Sequence, residues 1–220
     1  MKLISVHVPK TGGASLGQQL GEIYGPRIQR FYDRVRPNPH FEPLADLPSG
    51  IEAVHGHIWP QNYDRVPGAF RLVFLRHPVD HAISRYFYQL SDFWPPRFSR
   101  RYWMSVLKTG KPPVHPGGWG ATPPDILTFT RLSHSQTLLI DDYDLDRFDF
   151  IGFHEGRDAD IARLAVLTGL PLRADLHVNK TRHWGKERQA LLQDKTRMAE
   201  LTDLLAPQIR RYDRIRARRD

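Results

Sequence analysis

The sequence predicts an α/β domain in which a mostly parallel sheet is flanked by helices. Three observations lead there. Apolar, β-branched runs ("LISVHVP", "IEAVHGHIW", "FRLVFLRHP", "FDFIGFHE") alternate along the chain with segments of helical periodicity. The first run ends at a pair of glycines, in "HVPKTGGASL", and a helix pattern follows directly. With 220 residues, 40% hydrophobic and 25% charged, the chain has the size and composition of one soluble domain spanning 1–220.

The first strand closes at Pro9, before the glycines. Ala14 to Tyr24 then places Leu16, Leu20 and Ile23 at helical spacing, and Gly25-Pro26 stops the helix. "IEAVHGHIW" is a second buried strand, and "FRLVFLRHP" a third that ends at Arg76-His77-Pro78. From Val79 to Leu90 a helix carries Val79, Ile83 and Phe87 on one apolar face. Between about 93 and 124 the periodicity breaks into a Pro-, Gly- and Trp-rich stretch with room for one short helix near Tyr102–Leu107. An irregular insertion of that length is expected to be a binding loop or lid. Helical pattern resumes over Asp125–Ile140, and "FDFIGFHE" is a further strand. "DADIARLAVLTGL" is an amphipathic helix stopped by Gly169 and Pro171, and a long polar helix from about Lys186 finishes the chain.

Composition excludes several chemistries. There is no cysteine, so disulfides, zinc-thiolate sites and thiol catalysis are out. No apolar run reaches the roughly 18–20 residues of a membrane span, so no transmembrane segment is expected. The opening "MKLISVHVPK" is too short for a secretory signal, and the expected location is cytoplasmic. A net charge of +8 points to an anionic partner: nucleic acid, a phosphorylated ligand, an acidic glycan or a membrane surface. Part of that charge lies in the terminal "IRRYDRIRARRD", where arginines also suit the C-terminal end of a helix dipole.

Ligands of open parallel sheets bind outside the carboxyl ends of the strands, and the loops after Val8 and Leu75 both lie at such ends. Gly12 and Gly13 let an anion approach the main chain, and the helix that follows directs its unpaired N–H groups, over Gly12, Gly13, Ala14, Ser15 and Leu16, at the same point. Lys10 adds a mobile charge, and Thr11 and Ser15 add hydroxyl donors. The loop is not a Walker A sequence, because Lys10 precedes the glycines instead of following them. No acidic Mg²⁺ ligand follows a strand either, which disfavours a kinase-like phosphotransferase. In "VHGHIW", His55 and His57 alternate on a strand and face one side. With no third ligand in view, no metal site is expected there.

"HVPKTGGASL" resembles the 5′-phosphosulfate loop of sulfotransferases that use 3′-phosphoadenosine 5′-phosphosulfate. The "PKTGG" form is most similar to the carbohydrate branch, which holds the heparan sulfate 2-O- and 6-O-sulfotransferases and their small bacterial relatives. The resemblance implies a P-loop nucleotide-kinase-like fold and adenosine 3′,5′-bisphosphate as the spent cofactor. It implies that Arg76 and Ser84 of "VFLRHPVDHAISRYF" bind the 3′-phosphate, with His77 where the family more often has an acidic residue. It places the general base in the "HGH" segment. His57 lies nearer the carboxyl end of its strand and is the expected base, with His55 orienting it or the acceptor. An equal alternative makes one histidine the base and the other structural. "LSHSQTLLI" resembles a further family helix, with Gln136 matching but Ser135 in place of an arginine. "HVNKTRHWG" offers Lys180 and Arg182, beside Asn179 and Thr181, as cofactor donors, or else is a solvated basic turn. Trp94, Trp103 and Trp119 of the insertion are candidates for stacking on sugar rings.

The function implied is in-line transfer of a sulfuryl group to a hydroxyl of a saccharide or glycoconjugate, with no nucleic-acid partner. Three other readings stay open: a kinase-like phosphotransferase, a non-catalytic polyanion or nucleic-acid binder, and a sulfotransferase fold used for binding alone.

Overall fold

Among the described residues five strands form one sheet in the order β2-β3-β1-β4-β5: β1 (Lys2–Val6), β2 (Ile28–Phe31), β3 (Ala53–Gly56), β4 (Ala69–Leu75) and β5 (Phe150–Phe153). All of its pairings are parallel. The computed structural model describes residues 1–32, 43–93, 124–132, 140, 143–176 and 184–218. Its helices are α1 (Gly13–Tyr24), α2 (Pro78–Phe93), α3 (Ile126–Leu132), α4 (Arg157–Thr168), α5 (Gly185–Gln193), α6 (Lys195–Leu204) and α7 (Ala206–Ala217). A parallel sheet with flanking helices and a glycine loop between its central strand and α1 is the P-loop-like arrangement that the sequence predicts.

The register brings the carboxyl ends of β1, β2 and β3 level and lets β4 and β5 run two residues further at the same edge. Val6 lies opposite both Gly56 and Val73, Phe31 opposite Gly56, and Leu75 opposite Phe153. The residues immediately after the strands are therefore Tyr32, His57, His7, Arg76 and His154 along one edge. Each carries a polar ring or a guanidinium.

The chain divides into two compact units. The first, Met1–Arg76 with Gln136–Lys180, holds the sheet. Leu16, Leu20 and Tyr24 of α1 and Ile161 and Leu164 of α4 pack on Leu3, Ala53, Leu72, Phe74 and Phe150 of the strands. Each buried Leu, Ile or Phe among them contributes about 1.5–3 kcal/mol. The second unit, His77–Ser135 with Thr181–Asp220, is helical. There Val79, Ala82, Ile83, Phe87 and Leu90 of α2 pack with Ile126, Leu201 and Leu205.

Two elements differ from the sequence reading. β2 carries no strand signal, because its four residues "IQRF" are half polar and pair with β3 alone. The expected long polar helix is three helices. Asp194 breaks it by capping α6, its carboxylate accepting from the Arg197 N–H at 3.0 Å. Pro207, in the first turn of α7, breaks it again, since proline has no N–H to continue the ladder. The insertion from residue 94 to 123, the rest of the 125–140 helix around Ser135 and Gln136, and the loop holding Lys180 and Arg182 lie outside the described residues.

Candidate functional site

The glycine loop runs from the end of β1 to the first turn of α1. Lys10 has φ 68° and Gly12 φ 90°, both left-handed. Glycine adopts that conformation freely, whereas for lysine it costs about 1 kcal/mol. Left-handed residues of this kind turn successive N–H groups to one side and make an anion-binding concavity. The N-terminal dipole of α1 acts at the same place. Arg76, leaving β4, donates from Nη1 to the Lys10 carbonyl at 3.2 Å and braces the loop. Thr11 departs from expectation: its hydroxyl donates inward to the Val8 carbonyl at 2.8 Å in a buried position. What Thr11 offers an anion is backbone, not hydroxyl. Ser15 is buried as well, and Leu16 belongs to the core.

Beside the loop stands a cluster of rings. Gly13, Gly17 and Gly21 form a stripe along α1. A methyl group on Gly13 would collide with the His7 ring, one on Gly17 with His55 and Tyr32, and one on Gly21 with Arg30. This bare face lets His7, His55, His57 and Tyr32 gather. His7 stacks on His55 with centroids 5.4 Å apart and lies 5.0 Å from His57. Tyr32 meets each of the three histidines edge-on at 5.7 Å.

The two histidines of "HGH" have different surroundings. His55 is fully buried, with Nδ1 2.8 Å from Ser5 Oγ and Nε2 3.1 Å from the Gly13 carbonyl. A carbonyl only accepts, so Nε2 carries the proton and Nδ1 accepts from the serine hydroxyl. Burial pushes its pKa down to about 4, keeping it neutral. Both nitrogens are committed and the ring has no exposure, so His55 does not reach an acceptor. His57 follows β3, is half-buried, and is lowered from the ordinary imidazole value by burial alone. Of the three clustered imidazoles, it is the one that reaches solvent. His7 is held well below the ordinary value, first by burial and then by the neighbouring His55, His57 and Lys10.

On the other side of the loop, His154 follows β5 and Arg157 begins α4. Asp160 fixes the turn between them, its carboxylate accepting the Phe153 N–H at 2.6 Å. Arg157 is buried and donates to the Ala174 and Leu176 carbonyls at 3.1 and 3.0 Å. His154 Nδ1, Arg157 Cδ and Arg157 Nε all lie 3.4 Å from where a Gly12 side chain would begin.

Of the residues expected from sequence, Lys10 to Leu16, His55, His57 and Arg76 come together at the carboxyl edge of the sheet. Ser84 lies on α2 in the second unit, half-buried. Sequence reasoning missed His7, Tyr32, His154 and Arg157. The one sequence signal of His7, Tyr32 and His154 is position at a strand end, and Arg157 has none. Among the described residues no group of three His, Asp or Glu is placed to hold a metal, and no helix is long and apolar enough to cross a membrane.

No protein-family model matches the chain, and no curated protein does. In structure it is similar to mouse sulfotransferase SULT7A1 complexed with PAP, at 18% identity over 91% of this chain and 65% of that one, with a TM-score of 0.40. The chain thus spans less than two thirds of the length of the mouse protein. It is similar also to a sulfotransferase from Alicyclobacillus acidocaldarius, at 16% identity over 95% of each chain, again with a TM-score of 0.40.

Proposed function

We propose that the protein is a sulfotransferase that moves a sulfuryl group from 3′-phosphoadenosine 5′-phosphosulfate to a hydroxyl, with a saccharide or glycoconjugate as acceptor. The observation that carries this reading is one adjacency. An anion loop leaves β1 and a half-buried imidazole leaves β3, on neighbouring strands joined at their ends by the His7 N–H and the Gly56 carbonyl at 2.8 Å. A cradle for a multiply charged group beside a neutral base is what transfer of that group to a hydroxyl requires.

The residues present fit the donor. The left-handed Lys10 and Gly12 and the first N–H groups of α1 suit tetrahedral anionic oxygens, and Arg76 adds a second cation next to them. When bound, the donor supplies the sulfuryl group and leaves as adenosine 3′,5′-bisphosphate. His57 takes the proton of the attacking hydroxyl, which its lowered pKa permits throughout the neutral range. Lys10 and the loop amides would hold the donor's phosphate and would stabilise negative charge there. His55 holds the base's neighbourhood rigid through Ser5 and Gly13. The saccharide acceptor rests on the "PKTGG" and "HGH" resemblance, and its recognition is assigned to the insertion at about 93–124 within a single sulfotransferase domain.

The experiment is calorimetric titration with adenosine 3′,5′-bisphosphate of the wild type and of Arg76→Ala. Micromolar binding that the substitution largely removes, with AMP and ATP binding poorly, supports the reading. Equal binding of ATP favours a phosphotransferase. No binding leaves an anion turn without this donor.

A further inference from the structure

A buried polar atom without a partner is rare, because it forfeits its hydrogen bond to water and gains none in return. Nδ1 of His7, Nε1 of Trp59, Oε1 of Gln61 and Nδ1 of His154 are such atoms. All four belong to segments that leave β1, β3 or β5 at the carboxyl edge. His7 is 8% exposed and presses its ring against Gly13. His154 stands on the other side, against Gly12.

The Thr11 backbone beside the His154 ring favours its protonated form. Nδ1 finds no partner in the protein, and a neutral ring whose proton sits on Nε2 leaves it a bare lone pair. Beside a cradle of N–H groups a bare lone pair repels an anion, whereas a protonated one would donate to it. We infer that His154 takes up one proton from solvent when an anion occupies the Lys10–Leu16 loop, and contacts that anion through Nδ1–H. This rests on the anion-site reading proposed above and adds to it a residue and a pH dependence.

Before an anion binds, the ring is neutral at pH 7. Burial lowers its pKa, as do Arg76 from the end of β4 and Arg157 from α4, while the Thr11 backbone and the adjacent Glu155 act the other way. An arriving anion reverses this balance. A unit negative charge within about 4 Å shifts such an equilibrium by roughly a hundredfold or more at an effective dielectric of about 20. By linkage, affinity then rises by up to about tenfold for each pH unit of acidification between the unliganded and the bound pKa. The donor would bind more tightly at pH 6.5 than at pH 8.

The test titrates adenosine 3′,5′-bisphosphate at pH 7 in buffers of different ionisation enthalpy, which counts protons taken up on binding. His154→Gln is the comparison, since its amide keeps a polar side chain in this place but does not titrate. The wild type is expected to take up more protons than His154→Gln, by about half a proton or more, and to show a steeper rise in affinity between pH 8 and 6.5. Equal proton counts in two proteins that both bind overturn the inference and leave the donor reading intact. Failure of both to bind overturns the donor reading itself. Should His154→Gln not fold, ring NMR on the wild type decides, using inorganic sulfate, which does not titrate in this range. With sulfate bound, the pKa of His154 is expected to rise by about one unit or more; an unmoved pKa overturns the inference.

Discussion

His55 Nε2 lies 3.1 Å from the carbonyl oxygen of Gly13, so a ring carried by β3 is tied to the first residue of α1. The opposite ring nitrogen is tied to Ser5 on β1. Two strands and the helix of the anion loop therefore meet in one neutral side chain, and His57 is left to face solvent.

Substitution separates the two histidines. His55→Ala strands the Ser5 hydroxyl and the Gly13 carbonyl and opens a cavity, and is expected to cost about 3 kcal/mol in urea unfolding. His57→Ala is expected to cost less than about 1 kcal/mol, to leave adenosine 3′,5′-bisphosphate binding unchanged, and to lower turnover at least about 100-fold. The opposite pattern would exchange the two roles.

Stability should fall in mild acid. His55 titrates at about 4 in the folded protein and near 6.5 when unfolded, and His7 is shifted the same way. Between those values the unfolded chain binds more protons, so stability is full above pH 6.5 and declines as pH falls toward 4. His55 alone accounts for about 3 kcal/mol of that loss. The Glu52 carboxyl, held down by Arg27, and the Asp46 carboxyl, held down by Lys2, contribute only below about pH 4.5. Melting temperatures at pH 7.5, 6, 5 and 4 give the check: a flat profile down to pH 5 would contradict the buried neutral rings.

Turnover should tolerate acid better than an exposed histidine would allow. The lowered pKa of His57 keeps it a base below pH 6.5, so the acidic limb of kcat is expected below that value. A limb centred above 6.5 would assign the base elsewhere.

Lys10 trades stability for charge. In its left-handed position Lys10→Gly relieves about 0.5–1 kcal/mol of backbone strain yet removes the ammonium. The substituted protein should melt at the same temperature or higher and bind adenosine 3′,5′-bisphosphate at least about tenfold more weakly. Lower stability together with unchanged binding would mean that the lysine serves the fold alone.

Much of this architecture is legible in the sequence, because it is local. The β1–glycine–α1 unit, the strand ending at Arg76 and the alternation of His55 and His57 follow from runs of fewer than about a dozen residues. The remainder is long-range. His7 looks like one more residue of "LISVHVP" until Gly13 is seen to leave space for its ring. His154 and Arg157 look like a strand end and a polar turn, and their meeting with Gly12 from across the sheet has no local pattern. Tyr32 follows a strand too short and too polar to stand out. The breaks at Asp194 and Pro207 are present in the sequence, but the helix-favouring residues around them obscure where one helix ends.

The glycine stripe of α1 also bears on when the site comes into being. Three glycines on one face of a twelve-residue helix forfeit about 3 kcal/mol of intrinsic helical preference. Alone, such a segment would not stay helical. It is held by Leu16, Leu20 and Tyr24 packing on the sheet and by the rings and the guanidinium that fill the stripe, and one of those rings arrives with a strand that begins at Ala53. The anion cradle is thus expected to be complete only once β3 is in place. In pulse-labelled refolding the amides of α1 are expected to gain protection together with those of β3, and never ahead of them.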